Sequence, residues 1–248
     1  MKYTPQEKEI NKKVLFGELF DPIFRNSDYK RDFYLTVISR NLDSFIDAVD
    51  EDFLNQFIKA RCYFLRYFLG LDKIRDDRSC GATLSNSLLI LVFSLIEGVM
   101  QEEKFLTCIP FLEQVSSRVK KEHLKLDDNF LENLVKEYRE KYGATEKVRK
   151  FFADFVSEED KQFIIKYYKN GKFKDINGIL EDIYRLRSHF VHSLGMDFLR
   201  PYPFEKVLKY DEKNQRQYFE VENCLNINDL IAIVWMGIMS KFGLNTKI

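Results

Sequence analysis

The chain is poor in residues that break or staple structure. Its 248 residues include only five prolines, ten glycines and four cysteines. So few breakers leave room for long uninterrupted elements. The cysteines, Cys62, Cys80, Cys108 and Cys224, are scattered and form no C-x-x-C, which argues against a zinc knuckle or a thioredoxin-type site. Reduced thiols in a cytoplasmic setting are the expectation. Net charge is missing too. With 39 basic and 39 acidic residues, the protein is no polycation that wraps nucleic acid through bulk charge, which leaves only a local basic groove. There is no membrane-length apolar run: LLILVFSLIEGVM, Leu88 to Met100, is too short and contains Glu97. The opening MKYTPQEKEINKK is polar and does not read as a secretion signal. A G-x-S-x-G turn is absent and no cysteine has an activating context, which disfavours a serine or cysteine hydrolase.

What is present is aromatic and helical. The 23 phenylalanines and 13 tyrosines supply ample core material. Apolar residues recur at helical spacing nearly throughout, as in FYLTVISRNLDSFIDAV and DFLNQFIKARCYFLRYFLGL. The polar DKIRDDRSCGA, ending at Ala82, is the best boundary, dividing an N-terminal helical region of unknown role (1–80) from a helical bundle (81–248). An apolar helix is predicted from about Leu84, and DDNFLENLVKEYREKYG reads as another ending at Gly143. Thr145 and Ser157 are candidate N-caps for the next two helices, Asp175 for the one after, and Asn226 or Asn228 for the last. Gly195 and Gly243 are candidate stops. Two β-like runs flank DEKN, predicting a small hairpin insert near 204–221. The expected fold is therefore an all-α helical bundle with extra N-terminal helices and that hairpin.

One helix is anomalous. YRLRSHFVHSLG, Tyr184 to Gly195, holds two of the chain's three histidines and two arginines. At about 100° per residue, Glu181, Arg185, Ser188, His189 and His192 share a stripe about 80° wide. Ile179, Leu180, Ile183, Leu186, Phe190, Val191 and Leu194 face the other way, with Arg187 in their midst. A cation there must snorkel or find an acid. Glu97, embedded in an apolar helix of its own, is the expected partner, with the two side chains about 4 Å apart or less. A purely structural buried pair is the bland alternative. His189, His192 and Glu181 do not read as a metal site, because no second Glu-x-x-His completes one. His123 lies in a charged segment and reads as surface.

The run LRSHFVHS, with four residues between Arg187 and His192 after the lead-in ILEDIY, resembles the arginine–histidine signature of the HEPN superfamily. It is closest to the Apea-like branch, whose YxLRSxxVHG-like run follows an earlier helix with an internal glutamate, here LIEGVM. The resemblance covers about Leu84 to Phe242. Two positions depart from it. Ser188 follows the arginine where many active members carry Asn, Asp or His, and Ser193 rather than glycine follows the histidine.

The resemblance implies an up-and-down bundle and a metal-independent endoribonuclease without cofactors, acting on RNA, often as a homodimer. It implies His192 as acid/base and Arg187 for the phosphate. Glu97, Ser188 and His189 are then supporting residues, and Arg185 an RNA contact. A defence or toxin-type role with a neutralising protein partner belongs to the same expectation. In an ideal helix Arg187 and His192 point about 140° apart, so sharing one phosphate takes either a distortion of the helix near Ser193–Gly195 or two protomers, and a two-fold dimer built on the helix from Asp175 to Leu194 would supply both copies. The alternative is a non-catalytic helical module that dimerises or binds RNA or protein.

Overall fold

Among the described residues, polar side chains just ahead of apolar runs cap four of the helices. The computed structural model describes residues 3–25, 27–49, 51–52, 54, 78–101, 108–122, 128–168, 173–193, 204–211, 213 and 216–243. These form ten α-helices and one hairpin: α1 (Pro5–Lys12), α2 (Asp21–Arg25), α3 (Arg31–Ala48), α4 (Arg78–Val99), α5 (Cys108–Glu122), α6 (Asp128–Tyr142), α7 (Ala144–Phe155), α8 (Glu158–Tyr167), α9 (Ile176–Ser193), β1 (Phe204–Asp211), β2 (Arg216–Asn223) and α10 (Ile227–Lys241). A π-helical segment, Lys13–Phe20, joins α1 to α2. The protein is thus an all-α bundle carrying one small antiparallel hairpin.

The caps follow local chemistry. Thr4 and Glu7 form a reciprocal capping box on α1. Ser157 accepts from the Asp160 backbone N–H at 3.1 Å, and Asn226, not Asn228, accepts from that of Asp229 at 3.0 Å. Asp175 accepts from Gly178 N–H at 3.0 Å and so opens α9. Thr145 is not the cap of α7. That helix begins at Ala144 with Gly143 as its N-cap. The connection is too tight for a longer linker: a Cβ on Gly143 would lie 2.2 Å from the Arg139 carbonyl oxygen. The end of the expected boundary segment, with Gly81, lies inside α4, which starts at Arg78. One internal glycine costs about 1 kcal/mol against alanine, which the apolar run behind it offsets. The expected stop at Gly195 and the surface position of His123 lie outside the described residues.

Helix α10 is the core axis. Every residue from Ile227 to Met239 is buried, the pattern of a helix that is apolar all round. Trp235 is fully buried with its ring 5.8 Å from Phe20. Gly237 lets α7 approach: a Cβ there would lie 2.7 Å from Phe151 Cζ. Residues on both sides of the 80/81 boundary share this one core. Leu15, Phe20, Phe24, Ile38 and Phe45 belong to the same apolar cluster as Val92, Ile96, Phe151, Ile183 and Trp235. Polar bonds reinforce the joint. Ser27 donates to buried Asp229 at 2.7 Å, and Tyr34 donates to buried Asp160 at 2.8 Å. Helices α5 and α6 bury a separate small cluster of Phe111, Val115 and Leu134.

Candidate functional site

Helix α9 turns Ile179, Leu180, Ile183 and Leu186 into the core, as the periodicity predicts. Val191 departs from the expected apolar face: it is exposed, because the last turn of α9 runs past the apolar cluster that its first three turns line. The Phe190 side chain and Leu194 lie outside what is described. On the other side, Glu181, Arg185, His189 and His192 are exposed and Ser188 is half-buried. Glu181 is held by Arg149 of α7.

The seam between these faces holds a buried carboxylate. Asp182 is buried and accepts from the Tyr168 hydroxyl at 2.6 Å. It also accepts from Arg185, through Nη2 at 2.6 Å and Nε at 3.2 Å. Arg185 is therefore exposed yet tethered, one helical turn from its acid.

Arg187 and Glu97 face each other across α9 and α4, but Tyr184 stands between them instead of a direct ion pair. The Tyr184 hydroxyl donates to Glu97 Oε1 at 3.4 Å, and Arg187 Nη1 donates to that hydroxyl at 3.4 Å. Both bonds are long, so ring contacts carry much of the positioning. The guanidinium carbon lies 5.3 Å from the Tyr184 ring centre, a cation–π contact. Phe93 of α4 meets the other side of the network, edge-on to Tyr184 at 5.3 Å. Arg187 Nε is buried and has no hydrogen-bond partner. Burial raises the Tyr184 hydroxyl above its ordinary value, and the Glu97 charge adds to the rise.

A second cation belongs to the same region. Lys147 of α7 is buried, with its Nζ donating to Gln101 Oε1 just beyond α4. Burial lowers its pKa, and the attraction of Glu97 opposes that shift. Glu97 thus lies within electrostatic reach of Lys147 and Tyr184.

The structure brings Glu97 and Arg187 together through Tyr184 and leaves His192 and His189 on the exposed side of α9. Asp182, Tyr184, Lys147 and Gln101 were not singled out from the sequence. For Tyr184 a signal existed: it precedes Arg187 by three positions, the spacing of facing side chains on a helix. Lys147, inside TEKVRK, carried none. Among the described residues no three His, Cys, Asp or Glu side chains gather where they could hold a metal ion. Among the same residues no helix is long and apolar enough to cross a membrane. Compared with protein-family models, with curated proteins and with solved structures, the chain matches none.

Proposed function

We propose that the protein is a metal-independent endoribonuclease of the HEPN type that works as a homodimer. The observation that carries this reading is a division of labour on one helix. Arg187 is held by ring and hydroxyl contacts with Tyr184, while His192, five residues on, is exposed. RNA cleavage by its own 2′-hydroxyl needs both kinds of group. An imidazole takes the 2′-hydroxyl proton as the oxygen attacks phosphorus. The bond to the 5′-oxygen breaks, and that oxygen takes its proton from an imidazolium acting as general acid. A fixed cation stabilises the charge that develops on the phosphate oxygens. The products are a 2′,3′-cyclic phosphate and a 5′-hydroxyl. DNA lacks the nucleophile and is not a substrate. Two side chains about 140° apart cannot converge on one phosphate, so His192 of one copy acts with Arg187 of the other.

One observation favours the alternative of a non-catalytic binding module: Arg187 is half-buried and its hydrogen bond goes to Tyr184. The deciding experiment assays the wild type and His192→Ala on single-stranded RNA and DNA in EDTA, with circular dichroism on both. Expected are RNA cleavage with cyclic-phosphate ends and a loss on the order of 100-fold or more in the variant, with unchanged folding. Equal cleavage by both proteins sinks the role of His192. A folded wild type inert on varied RNAs leaves the binding module.

A further inference from the structure

The hairpin carries a feature that the proposed chemistry does not use. Leu208, Tyr210 and Phe219 are 53%, 57% and 67% exposed. The register sets Leu208 opposite Phe219 and Tyr210 opposite Gln217. Side chains alternate along a strand, so these four share one face, with Lys206 on the same face opposite Val221 beyond them. The other face carries Lys209, paired with Glu220 at 2.5 Å and with Glu222 at 2.8 Å, together with Asp211 and Arg216. Among the described residues, the outer edge of β2 pairs with no further strand. A two-stranded sheet is marginal alone in water, and an open edge beside an apolar face invites another strand.

Charge decides what kind of partner fits. Residues 204–223 contain five acidic side chains (Glu205, Asp211, Glu212, Glu220, Glu222) and four basic ones (Lys206, Lys209, Lys213, Arg216). The segment is thus net negative and gives a phosphate backbone no net attraction. A second β2, run antiparallel about a two-fold axis through Phe219, fits. That pairing sets Arg216 opposite Glu222 of the second copy, and the reverse, with the two Phe219 side chains adjacent. Within its own hairpin Arg216 stands opposite Asp211, whose carboxylate accepts from the Lys213 backbone N–H at 3.0 Å.

We propose that β2 is a self-association edge, and that two copies pair their β2 strands about Phe219 into one four-stranded antiparallel sheet. The inference stands on the hairpin alone and does not rest on the ribonuclease reading. Its consequence for α9 is geometric: ten residues separate Ser193 from Phe204, so the paired hairpins tether the two helices within about 35 Å of chain on each side.

The test measures the mass of the full chain by sedimentation from about 1 to 100 μM at physiological salt. The wild type should be dimeric in the upper part of this range. Phe219→Ser and Arg216→Glu, both at exposed positions, should stay folded and weaken the dimer at least tenfold. Residues facing across an antiparallel pair lie about 4.5–5.5 Å apart at Cα, within disulfide reach. Oxidised Phe219→Cys should therefore yield a covalent dimer whose peptide map joins position 219 to itself. A wild type monomeric throughout overturns the proposal. So does a dimer indifferent to both substitutions, or a map in which position 219 joins only the native cysteines. A dimer that persists in the variants moves the interface elsewhere and leaves the ribonuclease reading intact.

Discussion

Helices α9 and α10 both pack against α4 and α7 and flank the hairpin in sequence, yet they handle polarity in opposite ways. Helix α10 buries every residue from Ile227 to Met239 and sets its buried carboxylate, Asp229, in the first turn, where Asn226 caps it. Helix α9 buries one apolar stripe and then places Asp182, Tyr184 and Arg187 along the seam beside it. Buried polar groups cost free energy unless they are bonded; Arg187 Nε on α9 is not, and on α10 Asn228 Oδ1, in the first turn, is not. Burial of apolar surface therefore accounts for α10. It does not account for α9, which keeps a network of Tyr184, Arg187 and Glu97 beside its apolar stripe. That difference is the physical reason for placing the candidate chemistry on α9.

The strongest way to break this comparison is to remove side-chain volume from each helix. Trp235→Ala empties the centre of α10 and should cost about 3–5 kcal/mol. Val191→Ala, at an exposed position on α9, should stay within about 0.5 kcal/mol. Urea unfolding of both variants measures this. Similar losses would mean that the last turn of α9 is packed in solution, for instance against a second copy.

A smaller effect separates the two polar partners on α9. Asp182→Ala removes the acceptor of the Tyr168 hydroxyl inside the protein and should cost about 1–3 kcal/mol. Arg185→Ala removes an exposed partner of the same carboxylate and should cost about 1 kcal/mol or less. If the arginine change proves the more damaging one, the carboxylate depends on its ion pair and not on Tyr168.

Local chemistry was the most legible part of the fold. The caps Ser157, Asp175 and Asn226 work because a side-chain oxygen two or three residues ahead of free N–H groups needs no tertiary context. The hairpin was readable from alternation around a polar turn, and α10 from its unbroken apolar run. Tertiary geometry overrode local signals elsewhere. The tight turn at Gly143 displaced the expected cap Thr145, and α4 ran through Gly81. In the candidate site, the wheel correctly turned Arg187 toward α4 but gave only direction, not depth. The space between Arg187 and Glu97 is wide enough for the Tyr184 hydroxyl, which a wheel cannot reveal. Lys147 was invisible for a related reason: a lysine in a charged run reads as solvated until the packing of α7 buries it.

Lys147 offers the finest test, because it asks whether the polar seam on α4 and α7 is truly desolvated. Burial holds its pKa below the ordinary 10.5, with the attraction of Glu97 opposing the shift. Between the lowered folded value and 10.5, the unfolded chain keeps a proton that the folded protein has released. Stability attributable to this group therefore rises with pH across that window and is flat below it. Lys147→Met keeps the length of the side chain and removes the titration. Subtracting its unfolding free energy from that of the wild type at each pH cancels the other lysines and the tyrosines. The difference should move in favour of the wild type as pH climbs toward 10.5, and should not change with pH near neutrality. A difference that is level up to 10.5 would show that Lys147 keeps its proton in the folded protein. The Gln101 and Glu97 contacts would then outweigh its burial, and the seam would be less dry than the structure implies.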